Sequence, residues 1–357
     1  MALHPAGPLS FTATAVASGL EVPWSLAFIP GDRMLVSERP GRVRVSAGGE
    51  LLGAPALTLA TVSAPGQESG VLGIAADPHF PNPPDVYVYY TRLAGGVRVD
   101  RISRFRMDGD SLVAEQVILD NIPAGQVYHF GGRIRFGPDG KLYATVGEGF
   151  VAGRAADRNS LDGKILRMNP DGSVPDGNPF GTLVYAWGFR NPEGLDWDPA
   201  GHLYVSDNGP SGEFGLCCHD ELDYVQPGGF YGWPIRAGNV AAGSPSSYPP
   251  LPTPIGPIAE SGGGTWAPSG LSLYAPRKNE QPTILLATLR GQALRRFVVD
   301  PADPNRVTAE EVVLTGVGRL RDAVPGPDGC LYVLTSNRDG RGSPQAGDDK
   351  VLRLCPS

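Results

Sequence analysis

One short phrase recurs along this chain and limits what it can fold into. Gly137-Pro138-Asp139-Gly140 runs into Lys141-Leu142-Tyr143-Ala144-Thr145-Val146, and Asp198-Pro199-Ala200-Gly201 runs into His202-Leu203-Tyr204-Val205-Ser206. Gly326-Pro327-Asp328-Gly329 runs into Cys330-Leu331-Tyr332-Val333-Leu334. Looser copies are Ile29-Pro30-Gly31-Asp32 before Met34-Leu35-Val36, Asp77-Pro78 before Val86-Tyr87-Val88, and Ala267-Pro268-Ser269-Gly270 before Leu271-Ser272-Leu273-Tyr274. Proline sets φ at the first turn corner, aspartate bonds locally and glycine takes positive φ. The β-branched and aromatic run that follows favours a strand.

Six copies, beginning near residues 29, 77, 137, 198, 267 and 326, make units of roughly 50–70 residues, long enough for a four-stranded blade plus loops. Proline and glycine interrupt nearly every window that could carry helical periodicity. The expected fold is therefore all-β: a single six-bladed β-propeller over residues 1–357. A β-sandwich needs far fewer residues and leaves six copies unexplained. The strand near Phe11-Thr12-Ala13-Thr14-Ala15-Val16 is expected to complete the last blade and remove its free edge.

Glycine (49) and proline (36) are abundant, but 41% of the residues are hydrophobic and only 19% charged, which favours a packed chain over a disordered one. The net charge of -7 argues against a protein that tracks phosphate backbones. No apolar run approaches a membrane span. The opening Met1-Ala2-Leu3-His4-Pro5 has neither the basic region nor the apolar core of a secretory signal. Of four cysteines, Cys330 and Cys355 flank runs that would be neighbouring strands, so a bridge between them is natural. Cys217 and Cys218 are adjacent, closer than the usual disulfide span, and either a vicinal disulfide or free thiols fit the sequence.

A propeller gathers loops from all its blades at one end of its channel, so distant residues converge there. Five segments carry polar groups without evident turn duty. Tyr128-His129-Phe130-Gly131-Gly132 sets a histidine before two glycines that permit close approach. Trp187-Gly188-Phe189-Arg190-Asn191-Pro192 offers a guanidinium fork for an anion or carbonyl. Asp207-Asn208-Gly209-Pro210, Asp220-Glu221-Leu222-Asp223 and Gly228-Gly229-Phe230-Tyr231 supply oxygen donors of the kind calcium prefers. Arg290 follows a strand-like run, and Arg319 and Arg321 share one strand face. Trp266 could lay an indole over a flat ligand or fill a blade core. Each segment also has a plain structural reading: a blade-bridging arginine, a solvated acidic loop, a core tryptophan.

In this order, and with Val22-Pro23-Trp24-Ser25-Leu26 at the start, these segments resemble the soluble quinoprotein glucose/sorbosone dehydrogenase family, in its aldose sugar dehydrogenase branch. The resemblance covers nearly the whole chain. It implies pyrroloquinoline quinone (PQQ) with Ca2+ as cofactors and oxidation of an aldose to its lactone. By that resemblance His129 is the catalytic base, with Arg190 and Asn191 beside quinone and substrate. Arg290, Arg319 and Arg321 face the cofactor, and Trp266 walls the pocket. The carbonyls of Gly209 and Pro210 hold the active-site calcium, while Glu221 and the Tyr231 carbonyl serve a second, structural one. Two departures touch substrate preference. Glu68, with Gln67 one step earlier, stands where the family commonly has glutamine, and Tyr128 stands where some members have an acidic residue. The resemblance also implies a periplasmic or secreted protein that passes electrons to an external acceptor; nothing in the sequence suggests an extensive apolar interface, so a monomer is the simplest expectation. A calcium-dependent propeller lactonase would not need the arginines, and a non-catalytic binding propeller would need neither them nor His129.

Overall fold

The computed structural model describes residues 4–277 and 279–357 and is built almost wholly of strands. Six antiparallel sheets form the blades. Blade 1 runs through Pro23–Ile29, Arg33–Glu38 and Arg42–Ala47 to the short Glu50–Leu51; blade 2 is Val71–Ala76, Asp85–Ala94, Val97–Asp108 and Ser111–Pro123. Blade 3 is Gly131–Phe136, Leu142–Val146, Lys164–Met168 and Val184–Trp187, and blade 4 is Pro192–Trp197, Leu203–Asp207, Glu221–Val225 and Ala259–Glu260. Blade 5 is Pro268–Tyr274, Thr283–Thr288, Ala293–Asp300 and Asp303–Thr315. Blade 6 takes Leu320–Pro325, Leu331–Thr335 and Lys350–Pro356 from the end of the chain and Phe11–Ser18 from its start, with Phe11 opposite Pro356. The terminal pairing closes the ring and covers the edge, as the sequence predicts.

The first strand of each blade packs against the first strands of its two neighbours, so six inner strands surround the axis. Their channel is filled. Arg133 of blade 3 reaches Asp322 of blade 6 at 2.6 Å and the Ser25 hydroxyl of blade 1 at 2.9 Å, with its guanidinium 4.2 Å from the Trp24 ring centre. Five copies of the recurring phrase lie between first and second strands. The fifth in chain order does not: Pro268–Tyr274 is itself the inner strand of blade 5. Pro-Ser-Gly there opens a strand because Pro needs no ladder partner at a first position.

Cys330 is bonded to Cys355, joining the second and third strands of blade 6, and Cys217 is bonded to Cys218. Among the described residues no helix is long and apolar enough to cross a membrane. With the turns between first and second strands all at one end, the loops before each first strand and after each second strand meet at the other.

Candidate active site

That second end holds most of the residues singled out above. His129 ends the loop before the inner strand of blade 3 and adopts φ +65°, a conformation costly for any side chain but glycine's. Its amide donates to Glu68 Oε2 at 2.8 Å, and its Nδ1 lies 2.6 Å from Glu148 Oε1. Glu148 leaves the second strand of the same blade and donates its amide to the Arg190 carbonyl at 2.8 Å. Among the described residues, Nε2 is thus the ring nitrogen without a partner. His129 is only 5% exposed. Burial holds its imidazole well below the usual histidine range, and the charges of Arg190 and Arg341 add to this. Burial also pushes the Glu148 carboxyl up to about 8, against the opposing pull of Arg190 and with Glu213 raising it further. An ionised Glu148 accepts Nδ1–H and leaves the Nε2 lone pair free to take a proton.

Arginines gather at this end, and the charges of Arg190 and Arg341 reach His129. Arg190 is held by Glu213, with Nε 3.0 Å from Oε1, and donates from Nη1 to the Asn208 carbonyl at 3.1 Å. Arg319 Nε meets Asp339 at 2.9 Å, and Arg321 Nη1 meets Glu193 at 2.5 Å. Arg341 lies 3.2 Å from Glu68 and 4.8 Å over the Tyr128 ring. Among the described residues Arg39 forms no ion pair, and its Nε, like that of Arg321, is buried without a partner. Burial and then the Arg321 charge push Arg39 down to about 10. Unpaired guanidinium nitrogens at the channel mouth fit a ligand carrying several carboxylates.

Two candidates behave otherwise than expected. Arg290 is at the same end but exposed, and it makes no hydrogen bond or ion pair among the described residues. Trp266 is not a pocket wall: its ring packs on Phe297, centroids 5.6 Å apart, in the core between blades 4 and 5. Its backbone amide donates to Asp220 Oδ2 at 2.6 Å, and its apolar neighbours take the indole inward. Asn191 stitches blades together, accepting from the Gly131 amide at 2.9 Å and donating to Glu193 at 3.2 Å. The structure also separates Gln67 from Glu68. Gln67 accepts from Arg98 at 3.1 Å, whereas Glu68 reaches His129. Tyr128 and Phe150 form an exposed rim, with the Phe150 ring centre 5.0 Å from that of His129.

The oxygen donors fall into two groups. Gly209 and Pro210 are buried, and their carbonyls accept no hydrogen bond among the described residues. A Cβ on Gly209 would sit 1.7 Å from the Cys218 carbonyl, so only glycine fits. Deeper in blade 4, Glu221 accepts the Gly238 amide at 2.5 Å, while both carboxylate oxygens of Asp223 are buried and unpaired. Burial drives Glu221 and Asp223 well above the usual carboxylate range, and the charge of Asp207 raises both further. The Tyr231 carbonyl accepts nothing among the described residues. An orphaned buried carboxylate next to a second buried acid is a site that a hard cation would relieve. Among the described residues no three histidine, cysteine or acidic side chains are grouped to hold a metal, so carbonyls would complete either shell.

The glucose/sorbosone dehydrogenase family model matches residues 20–345. The chain belongs to this family. A putative glucose dehydrogenase from Thermus thermophilus superposes with a TM-score of 0.86 at 44% identity, covering 97% of this chain and all of that one. The PQQ-bound aldose sugar dehydrogenase of Streptomyces coelicolor does so with a TM-score of 0.83 at 36% identity, over 99% of this chain and all of its own. Aldose sugar dehydrogenase YliI of Escherichia coli is 29% identical over 94% of this chain and 92% of its own length. The protein is thus an oxidoreductase of the glucose/sorbosone dehydrogenase family.

For this dehydrogenase the sequence reading missed Glu148, Arg39, Arg341, Glu193 and Glu213. A signal for the first two was present. Every second strand runs back to the His129 end, so polar residues just past those strands become candidates.

Proposed function

We propose that the protein oxidises aldose sugars at the anomeric carbon to lactones, using PQQ and Ca2+ and passing the electrons to an external acceptor. The observation that carries this reading is the His129 imidazole, with Nδ1 held 2.6 Å from Glu148 and Nε2 open at the end where the arginines gather. PQQ, when bound with calcium, supplies the two-electron acceptor for the hydride of the sugar C1–H. Arg39, Arg319 and Arg321 would hold its carboxylates, and Arg190 would stabilise negative charge developing beside it. His129 Nε2 accepts the proton of the anomeric hydroxyl, and Glu148 opposes the positive charge that forms on the ring. The carbonyls of Gly209 and Pro210 would hold the active-site calcium, and Glu221, Asp223 and the Tyr231 carbonyl the structural one. Glu68 and Tyr128 flank the sugar, while Arg290 is free to swing toward the cofactor.

The reading implies a periplasmic or secreted monomer, and two disulfides support an oxidising compartment. A lactonase reading is less well supported, because the axis where its calcium would sit is filled by Arg133 and Asp322. The test is reconstitution with PQQ and calcium, followed by dye reduction with a panel of aldoses. Turnover that requires both cofactors and yields lactone is expected. Bound PQQ without turnover on any aldose would overturn the activity.

A further inference from the structure

Arg190 needs a defined aim to be of use beside a reacting carbonyl, and the chain devotes a separate loop to providing one. After its second strand, blade 4 makes a compact excursion from Pro210 to His219. Within it the Gly212 amide donates to the Leu216 carbonyl at 2.9 Å, the Leu216 amide to the Glu213 carbonyl at 3.0 Å, and the Gly215 amide to the Gly212 carbonyl at 3.1 Å. Ser211 and Cys217 are bridged at its base, and the Cys217–Cys218 disulfide lies beside that bridge. Phe214, at φ +53°, lays its ring 5.5 Å from Trp233, whose own ring lies 5.6 Å from the Arg190 guanidinium.

The loop presents one carboxylate inward. Glu213 Oε2 accepts the Ser211 amide at 2.6 Å, tying the side chain to its own loop, while Oε1 accepts from both Nε and Nη2 of Arg190. With Nη1 donating to the Asn208 carbonyl, three of the five guanidinium N–H groups are committed. The remaining two, one on Nη1 and one on Nη2, have no partner among the described residues.

We propose that Glu213 is a positioning residue for the sugar-oxidation step, fixing which edge of Arg190 is offered to the reacting carbonyl. This rests on the reading of His129 and Arg190 given above. Without the carboxylate the guanidinium can rotate about its side chain, and a misplacement of this kind costs rate rather than affinity. Glu213 has a second effect that a purely structural group would lack. Its charge offsets that of Arg190 at the His129–Glu148 pair, which also faces Arg341, Glu68, Asp162 and Tyr248. With the offset removed, the unopposed Arg190 makes protonation of the pair harder.

The experiment compares wild type, Glu213→Gln and Glu213→Asp, each reconstituted with PQQ and calcium and assayed with one aldose from pH 5 to 9. For Glu213→Gln, kcat is expected to fall about 10- to 100-fold with KM little changed. Its acid limb should move to lower pH, and Glu213→Asp should restore the limb and part of kcat. PQQ affinity, followed by titration, should stay near wild type. An unchanged kcat, or a loss of activity that merely tracks lost PQQ binding with the acid limb unmoved, would overturn the proposal. Failure of the dehydrogenase reading is distinguishable, because wild type itself would then be inactive with every aldose.

Discussion

The two ends of the propeller are made from the same six strand pairs, yet the polar groups that mark each end are satisfied differently. At the turn end the aspartates of the recurring phrase bond locally. Asp139 accepts the Lys141 amide at 3.0 Å and the Tyr143 hydroxyl at 3.1 Å; Asp328 accepts the Cys330 amide and the Tyr332 hydroxyl, each at 3.2 Å. Asp198 accepts the His202 amide at 2.9 Å. At the other end several charges find partners across blades. Glu68 of the loop before blade 2 holds the His129 amide of blade 3, Arg321 of blade 6 holds Glu193 of blade 4, and Arg341 reaches back to Glu68. Local satisfaction needs no other blade. Satisfaction across blades exists only once the ring has closed, and it leaves groups such as Arg39 Nε and Glu148 Oε2 without partners. Buried groups left in that state are what a ligand can use.

The sharpest way to break the comparison is at His129. His129→Ala should lower kcat by about 100- to 10,000-fold, the usual range for a general base, while PQQ binding, followed by absorbance titration, is retained. Equal loss of cofactor would mean that the histidine is a ligand rather than a base. A smaller effect is expected from pH. The base-competent state needs Glu148 ionised, and burial has raised that carboxyl to about 8. Its charge is therefore lost as pH falls through that value, and kcat/KM of the wild type should decline on the acid side. Glu148→Gln keeps the shape but can donate to Nδ1, which favours the tautomer with hydrogen on Nε2. Its turnover should be low at every pH, and a normal acid limb in this variant would remove Glu148 from the mechanism.

The same contrast explains what the sequence could reveal. The turn phrase depends on four or five consecutive residues, so six blades and the closing strand from Phe11 are readable before any contact is known. His129 and the Arg190-Asn191 pair stand out because they sit in unusual local company and match a family pattern in register. Glu193 and Glu213 do not stand out. Each is an ordinary acid in a loop or strand until folding brings an arginine to it, across the ring from blade 6 and 128 residues away for Glu193, within blade 4 and 23 residues away for Glu213. Trp266 failed in the other direction. Gly-Thr-Trp-Ala-Pro looks like a ligand-facing loop, but the indole turns inward because Phe297 and Leu286 offer it a dry neighbourhood.

The smallest expected effect lies at the turn end, and it is the one that isolates the contrast. Asp139 accepts three donors, the third being Arg167 Nε at 2.9 Å, all from its own blade and within 28 residues. Asp139→Ala removes a turn bond, a tyrosine bond and a partly exposed ion pair together. Because water replaces much of what is lost at this exposed position, the cost should be about 1 kcal/mol, read as a lower urea midpoint with an unchanged m-value. Turnover and KM should match wild type, since no bond of Asp139 crosses to the other end. A loss of turnover in this variant, with its stability intact, would mean that the turns and the candidate active site are coupled through the inner strands. The separation of the two ends would then be only apparent.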